Sequence, residues 1–138
     1  MAHRAGGPVL LVEDNAETRD VLARILHLRG YETVDADDGR DALDYLGRGG
    51  TASVIVLDMR MPNMDGVSFR RALRAEPRWS EIPVVIYSVA EPDDVEGAAS
   101  VVQKGTDEPE VMLAAVQRAC EQRGAGRPGR PARSSSLR

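Results

Sequence analysis

Short apolar runs rich in β-branched residues alternate along this chain with stretches whose apolar residues recur every three or four positions. The runs fall at residues 9–13, 31–35, 54–58, 84–88 and 100–103, and each predicts a strand. Those at 9–13, 54–58 and 84–88 are continuously apolar up to their last residue, the mark of strands covered on both faces. After the first run, Asn15 can cap a helix to about Arg29, with Val21, Leu22, Ile25 and Leu26 facing inward and Gly30 supplying a left-handed stop. Weaker helices are predicted at about 40–46, before Gly47, and at about 67–75, before Pro77. The last begins near Pro109, whose missing N–H costs nothing in a first turn, and turns Met112, Leu113, Val116 and Cys120 inward. Between Ser88 and Lys104 stand Pro92, several acids and Gly97, so a helix there is expected to be short or irregular.

Strand and helix in alternation make βαβ units, which close a parallel sheet between two layers of helix through right-handed crossovers. The fold class is therefore α/β, a doubly wound sheet of five strands with helices on both faces. At 138 residues and 15.0 kDa the length suits one domain, and a separate output domain is not expected. The expected division is a disordered segment at 1–7, a folded domain at 8–122 and a basic, disordered tail at 123–138. That tail is rich in Gly, Pro, Arg and Ser without apolar periodicity, and cannot offset its ordering entropy by burial.

Composition narrows the function classes. A hydrophobic fraction of 42% and a charged fraction of 29% are those of a soluble globular chain. No apolar run approaches the roughly 20 residues needed to cross a bilayer, and the amino-terminal residues hold no signal-peptide pattern. Cys120 is the single cysteine, so no internal disulfide can form, which fits a reducing compartment. A cytoplasmic protein without membrane partners is expected. The net charge of −4 conceals a division, because removing the tail's five arginines leaves −9 on the remainder. So acidic a body repels nucleic-acid phosphates, and direct DNA binding is not expected. The tail itself reads as solvated.

Ligands of open parallel sheets bind beyond the carboxyl ends of the strands. Glu13 and Asp14 end the first predicted strand, Asp58 the third and Ser88 the fourth, and Lys104 follows the fifth. Two carboxylates about 4 Å apart repel by about 4 kcal/mol at an effective dielectric near 20. Protonation can relieve this by raising a pKa, but a hard cation such as Mg²⁺, which prefers a few oxygens plus retained waters, does so better. Asp58 can then act as a nucleophile toward phosphorus, with Ser88 and Lys104 stabilising the phosphoryl oxygens.

These residues carry a resemblance. Glu13-Asp14 after an apolar strand, the segment Asp58-Met59-Arg60-Met61-Pro62-Asn63-Met64-Asp65-Gly66, Ser88 after Ile82-Pro83-Val84-Val85-Ile86-Tyr87, and the late Lys104 together closely resemble the receiver domain of bacterial two-component response regulators, of the single-domain type. The resemblance implies a flavodoxin-like sheet of strand order 2-1-3-4-5. It also implies that Asp58 is the phosphoacceptor, that Asp14, Asp58 and the Arg60 backbone carbonyl bind Mg²⁺, and that Glu13 helps through water. Ser88 would be the switch hydroxyl and Lys104 the phosphoryl partner. The donor would be a phosphohistidine on a sensor histidine kinase or histidine phosphotransfer protein, and the output would be binding to a downstream protein.

The chain departs from the family pattern in its second half. The interval from Ser88 to Lys104 is shorter than the family norm by more than a helical turn. Val101 stands where the family usually places a switching Tyr or Phe, Gly105 replaces the proline after the lysine, and Val89 is bulkier than the usual Ala or Gly. Three functions remain in view: a phosphoaccepting receiver, a receiver-like docking module indifferent to phosphorylation, and a Mg²⁺-dependent phosphatase. The last is disfavoured by Arg60, which stands where such hydrolases normally offer a second acid. Of the other distinctive residues, Asp65 and Gly66 read as shaping a turn and Trp79 as anchoring the loop before the fourth strand. Cys120 reads as core, and His27 is assigned no role.

Overall fold

The computed structural model describes residues 7–61, 64–89, 95–104 and 109–124. In chain order these form β1 (Val9–Val12), α1 (Ala16–Leu28), β2 (Thr33–Ala36), α2 (Gly39–Gly47), β3 (Val54–Leu57), α3 (Gly66–Ala75), β4 (Val84–Ser88), β5 (Ser100–Gln103) and α4 (Pro109–Gly124). All five strands are parallel, in the order β2-β1-β3-β4-β5. The expected doubly wound sheet and its strand order are therefore present.

Alternation of side chains across each strand divides the core in two. Val9, Leu11, Val54, Val56, Val85, Tyr87 and Val102 face α1 and α4, meeting Leu22, Leu26, Met112, Leu113 and Val116. Leu10, Val12, Ile55, Leu57, Val84 and Ile86 face α2 and α3, meeting Ala42, Leu46, Phe69 and Leu73. With both faces covered, β1, β3 and β4 are buried at every position, which is why they read as unbroken apolar runs. Cys120 packs half-buried against the first cluster, as its spacing suggested, and Trp79 packs half-buried against the second.

Local chemistry sets the helix ends. Asn15, Asp38 and Asp65 each accept a hydrogen bond from a backbone N–H in the first turn of α1, α2 and α3. At the end of α1, Gly30 adopts φ +86° while its N–H donates to His27 and that of Tyr31 donates to Leu26, a paired closure of the last turn. This closure corrects the predicted second strand. Tyr31 spends its N–H on the helix and buries its ring in the core, so β2 begins only at Thr33. A second correction concerns Val21, expected inside but 52% exposed. Leu22 and Leu26, one turn apart, define the buried stripe, and Val21 lies about 100° round the helix from Leu22, away from Leu26.

Of the stretch expected to hold a short or irregular helix, residues 90–94 lie outside the described residues. Residues 95–99 make a turn, closed by the Ala98 N–H donating to Val95, and contain no helix. The predicted segment 1–7 falls outside the described residues except for Gly7. The tail likewise falls outside them beyond Gly124, where α4 ends.

Candidate functional site

Parallel register brings the carboxyl ends of β1, β3 and β4 to one edge of the sheet, because Val12 pairs with Leu57 and Leu57 with Ile86. The residues just past these pairs therefore gather. Carboxylate oxygens of Glu13, Asp14 and Asp58 all lie within 4.8 Å of one another. Glu13 and Asp58 are buried, whereas Asp14 is exposed and opens the cluster to solvent. Hard oxygen donors at this spacing suit a divalent cation rather than a soft metal.

Backbone bonds hold each acid in place. The Asp58 N–H donates to Val12 and the Glu13 N–H to Ala36, extending the sheet one residue past β3 and β1. The Arg60 N–H donates to Asp58 Oδ1 at 3.1 Å, and the Asn15 N–H donates to Glu13 Oε2 at 3.1 Å. Gly66 is required here by close approach, since a Cβ on it would stand 2.4 Å from Met59 Sδ and 2.7 Å from Met59 Cα. The turn that carries Asp58 into α3 is thereby packed directly on the helix's first residue.

Lys104 reaches the acids from the far side. Its Nζ donates to Glu13 Oε1 at 2.8 Å and lies 3.6 Å from Asp58 Oδ2, with only 18% of its side chain exposed. Its own N–H donates to the Ser88 carbonyl at 2.6 Å, which ties the end of β5 to the buried serine at the end of β4. The ammonium also stands 5.5 Å from the centre of the Tyr87 ring.

These surroundings set the charge states. Burial lifts Asp58 from its ordinary 3.8 to about 6, opposed by the Arg60 N–H and Lys104 and reinforced by Glu13. For Lys104 burial acts to lower the pKa, but the Glu13 hydrogen bond and the nearby carboxylates override it and hold the ammonium above its ordinary range. At neutral pH the site thus contains a carboxylate whose negative charge is poorly compensated beside a lysine that stays charged.

The candidate site residues lie at this edge: Glu13, Asp14 and Asp58 together, Lys104 in reach of Glu13 and Asp58, Arg60 through its N–H rather than the expected carbonyl, and Ser88 through its carbonyl rather than its hydroxyl. Arg19 escaped notice. It sits on the first turn of α1 and donates to the Glu13 carbonyl at 2.8 Å. An arginine four positions past a capping asparagine was the available signal, but two of its partners, Asp35 and Asp37, come from β2 and the loop after it.

The family model for the response regulator receiver domain matches residues 9–117. The chain belongs to that family. The rice two-component response regulator ORR5 (Oryza sativa) is 37% identical over 86 residues, which cover 62% of this chain and 64% of the rice protein. This chain thus spans a little under two thirds of that relative's length. Among solved structures, the signal receiver domain of a signal transduction histidine kinase from Syntrophus aciditrophicus superposes with a TM-score of 0.77 at 28% identity, covering 96% of this chain and 97% of that one. The receiver domain of a sensor histidine kinase from Pseudomonas aeruginosa PAO1, which has a magnesium ion coordinated in its active-site cleft, gives 0.74 at 25% identity over 85% and 99% of the two chains. Members of the receiver family are signalling domains of two-component systems.

Proposed function

We propose that this receiver domain accepts a phosphoryl group on Asp58 from a phosphohistidine of a sensor kinase or phosphotransfer protein, and signals by binding another protein as a stand-alone regulator. The observation that carries this reading is the convergence of Glu13, Asp14 and Asp58, from two strand ends, with Lys104 from a third.

The donor set fits magnesium: three carboxylate oxygens, one of them on an exposed residue that leaves room for retained waters. Asp14 and Asp58 are its direct ligands in this reading, with the Arg60 carbonyl beside them and Glu13 acting through water. When bound, the ion supplies positive charge that offsets the clustered carboxylates and the oxygens of an incoming phosphoryl group. The remaining chemistry belongs to the chain. The Arg60 N–H pins Asp58 Oδ1, and Oδ2 is the oxygen turned toward Lys104. Attack by Oδ2 on phosphorus forms the O–P bond as the P–N bond to the donor imidazole breaks, the electron pair leaving with the nitrogen. The phosphoryl group then lies beside the Lys104 ammonium, which has to turn from Glu13 by less than a side-chain length to meet it. Ser88, buried at the end of β4 and tied to Lys104 through its carbonyl, offers its hydroxyl to a phosphoryl oxygen.

Incubation with Mg²⁺ and acetyl phosphate tests this. Intact mass should rise by one phosphoryl group, stable in acid and labile in base, and Asp58→Asn should abolish the gain. Persistence of the added mass in that variant would overturn the assignment.

One observation favours a second reading. Val101 is 45% exposed on β5, at the position where the family pattern usually places a switching Tyr or Phe, so a docking surface that ignores the state of Asp58 is the competing function. Equal partner affinity with and without phosphorylation would select it, since a ligand that favours neither state shifts no equilibrium.

A further inference from the structure

Glu13 is the pivot of the acidic cluster, and both of its backbone groups are held. Its N–H, in the peptide with Val12, donates to Ala36 at the end of β2, and its carbonyl, in the peptide with Asp14, accepts from Arg19 Nη1 at 2.8 Å. The same Nη1 lies 3.0 Å from Asp37 Oδ1, and Arg19 Nε faces Asp35 Oδ2 at 3.7 Å. The guanidinium thus stitches three places: the first turn of α1, the bend after β1, and the start of the loop after β2.

Two features separate this clamp from an ordinary surface ion pair. Only 15% of the Arg19 side chain is exposed, against 77% for Asp37, so the arginine is held at the inner end of its pairs. Its hydrogen bond goes to a backbone carbonyl, which fixes the plane of the Glu13–Asp14 peptide and with it the direction in which Asp14 leaves the chain. Asp35 and Asp37 meanwhile neutralise the guanidinium, so its positive charge does not oppose a cation at the neighbouring carboxylates.

We propose that Arg19 is a positioning residue for the cation site: it orients Asp14 toward Asp58 by holding the Glu13 carbonyl, while Asp35 and Asp37 mask its charge. The inference rests on the magnesium-dependent phosphoacceptor reading above. Groups that hold ligands in place typically set metal affinity by 10- to 100-fold.

The test uses the full chain, with Mg²⁺ affinity read by competition against Mn²⁺ in electron paramagnetic resonance and phosphorylation by acetyl phosphate as a second readout. Arg19→Ala should weaken Mg²⁺ binding at least about tenfold, yet reach a wild-type maximal phosphorylation rate once Mg²⁺ saturates. Arg19→Gln, which keeps an N–H donor for the Glu13 carbonyl without charge, should recover part of the affinity. If Arg19→Ala does not fold, Arg19→Gln and Arg19→Lys decide, each being expected to fall between wild type and complete loss of binding. Unchanged Mg²⁺ affinity in Arg19→Ala, or in Arg19→Gln where the alanine variant does not fold, overturns the proposal whatever the unfolding midpoint, and leaves Arg19 at most a structural tie. Wild-type protein that binds no divalent cation would instead sink the phosphoacceptor reading itself, so the two failures are distinguishable.

Discussion

Asp58→Asn should make the protein more stable without magnesium and erase that advantage with it. Burial raises Asp58 from 3.8 to about 6, so ionising this side chain in the folded state is disfavoured. At about 1.36 kcal/mol per pKa unit the difference reaches about 3 kcal/mol, and water entering beside Asp14 and Lys104 screens it to about 1–2 kcal/mol. The folded state holds this proton more tightly than the unfolded chain, so stability falls as pH rises from about 3.8 to about 6 and stays lowered above. An asparagine carries no such penalty. In urea titrations followed by far-UV circular dichroism with EDTA at pH 7.5, Asp58→Asn should therefore exceed wild type by about 1–2 kcal/mol, and at pH 4 the two should agree. Magnesium at ten times its dissociation constant should add about 1.4 kcal/mol to wild type and far less to the variant. A variant less stable than wild type in EDTA at pH 7.5, or an advantage unchanged at pH 4, would refute the electrostatic account of the site.

Other perturbations probe the frame around Asp58. Lys104→Met leaves Glu13 and Asp58 buried without their cation, and should cost about 3 kcal/mol at pH 7.5 in EDTA, less at pH 5 where Asp58 takes a proton. Because the folded-state pKa of Lys104 is raised, wild type should lose its advantage over this variant as pH climbs above 10.5, measured by the same titration. Gly66→Ala drives a methyl into Met59 backbone and sulfur, and a loss of about 2 kcal/mol is expected in chemical denaturation. Asp65→Ala removes the cap of α3, whose carboxylate accepts from the Ser68 N–H at 2.9 Å, for a loss of about 1 kcal/mol in thermal or urea unfolding.

Much of this architecture could be read from residue order because its physics is local. Strands buried on both faces must be apolar throughout, so 9–12, 54–57 and 84–87 announced themselves, and a capping asparagine marked the first helix. Where reading failed, the deciding feature was a cap, a helix closure or an angular position that apolarity alone does not carry. Tyr31 has the side chain of a strand residue, but its N–H closes α1. Asp38 caps α2 ahead of the predicted start at about 40, and Val21 has the apolarity but not the angular position of a core residue. The site was legible for a different reason: parallel topology converts any polar residue at a strand's carboxyl end into a neighbour of the others. Arg19 was not, because its partners Asp35, in β2, and Asp37, just after it, become neighbours only when α1 packs beside the end of β2.

The same geometry explains why the phosphoacceptor reading ties chemistry to the fold as a whole. Lys104 is 91 positions from Glu13 in the chain, and nothing but the completed sheet holds its ammonium 2.8 Å from that carboxylate. An aspartate at the end of an isolated strand would be an ordinary, well-hydrated acid. Within the sheet it is desolvated, faced by Glu13, and only partly compensated by an ammonium that pairs more closely with Glu13 than with Asp58. Folding thus leaves negative charge in excess at one point, and a bound cation would relieve it. A ligand that relieves such strain necessarily favours whichever arrangement of the surrounding loops holds it best, and the Lys104 N–H bonded to the Ser88 carbonyl gives β4 and β5 a shared stake in that arrangement.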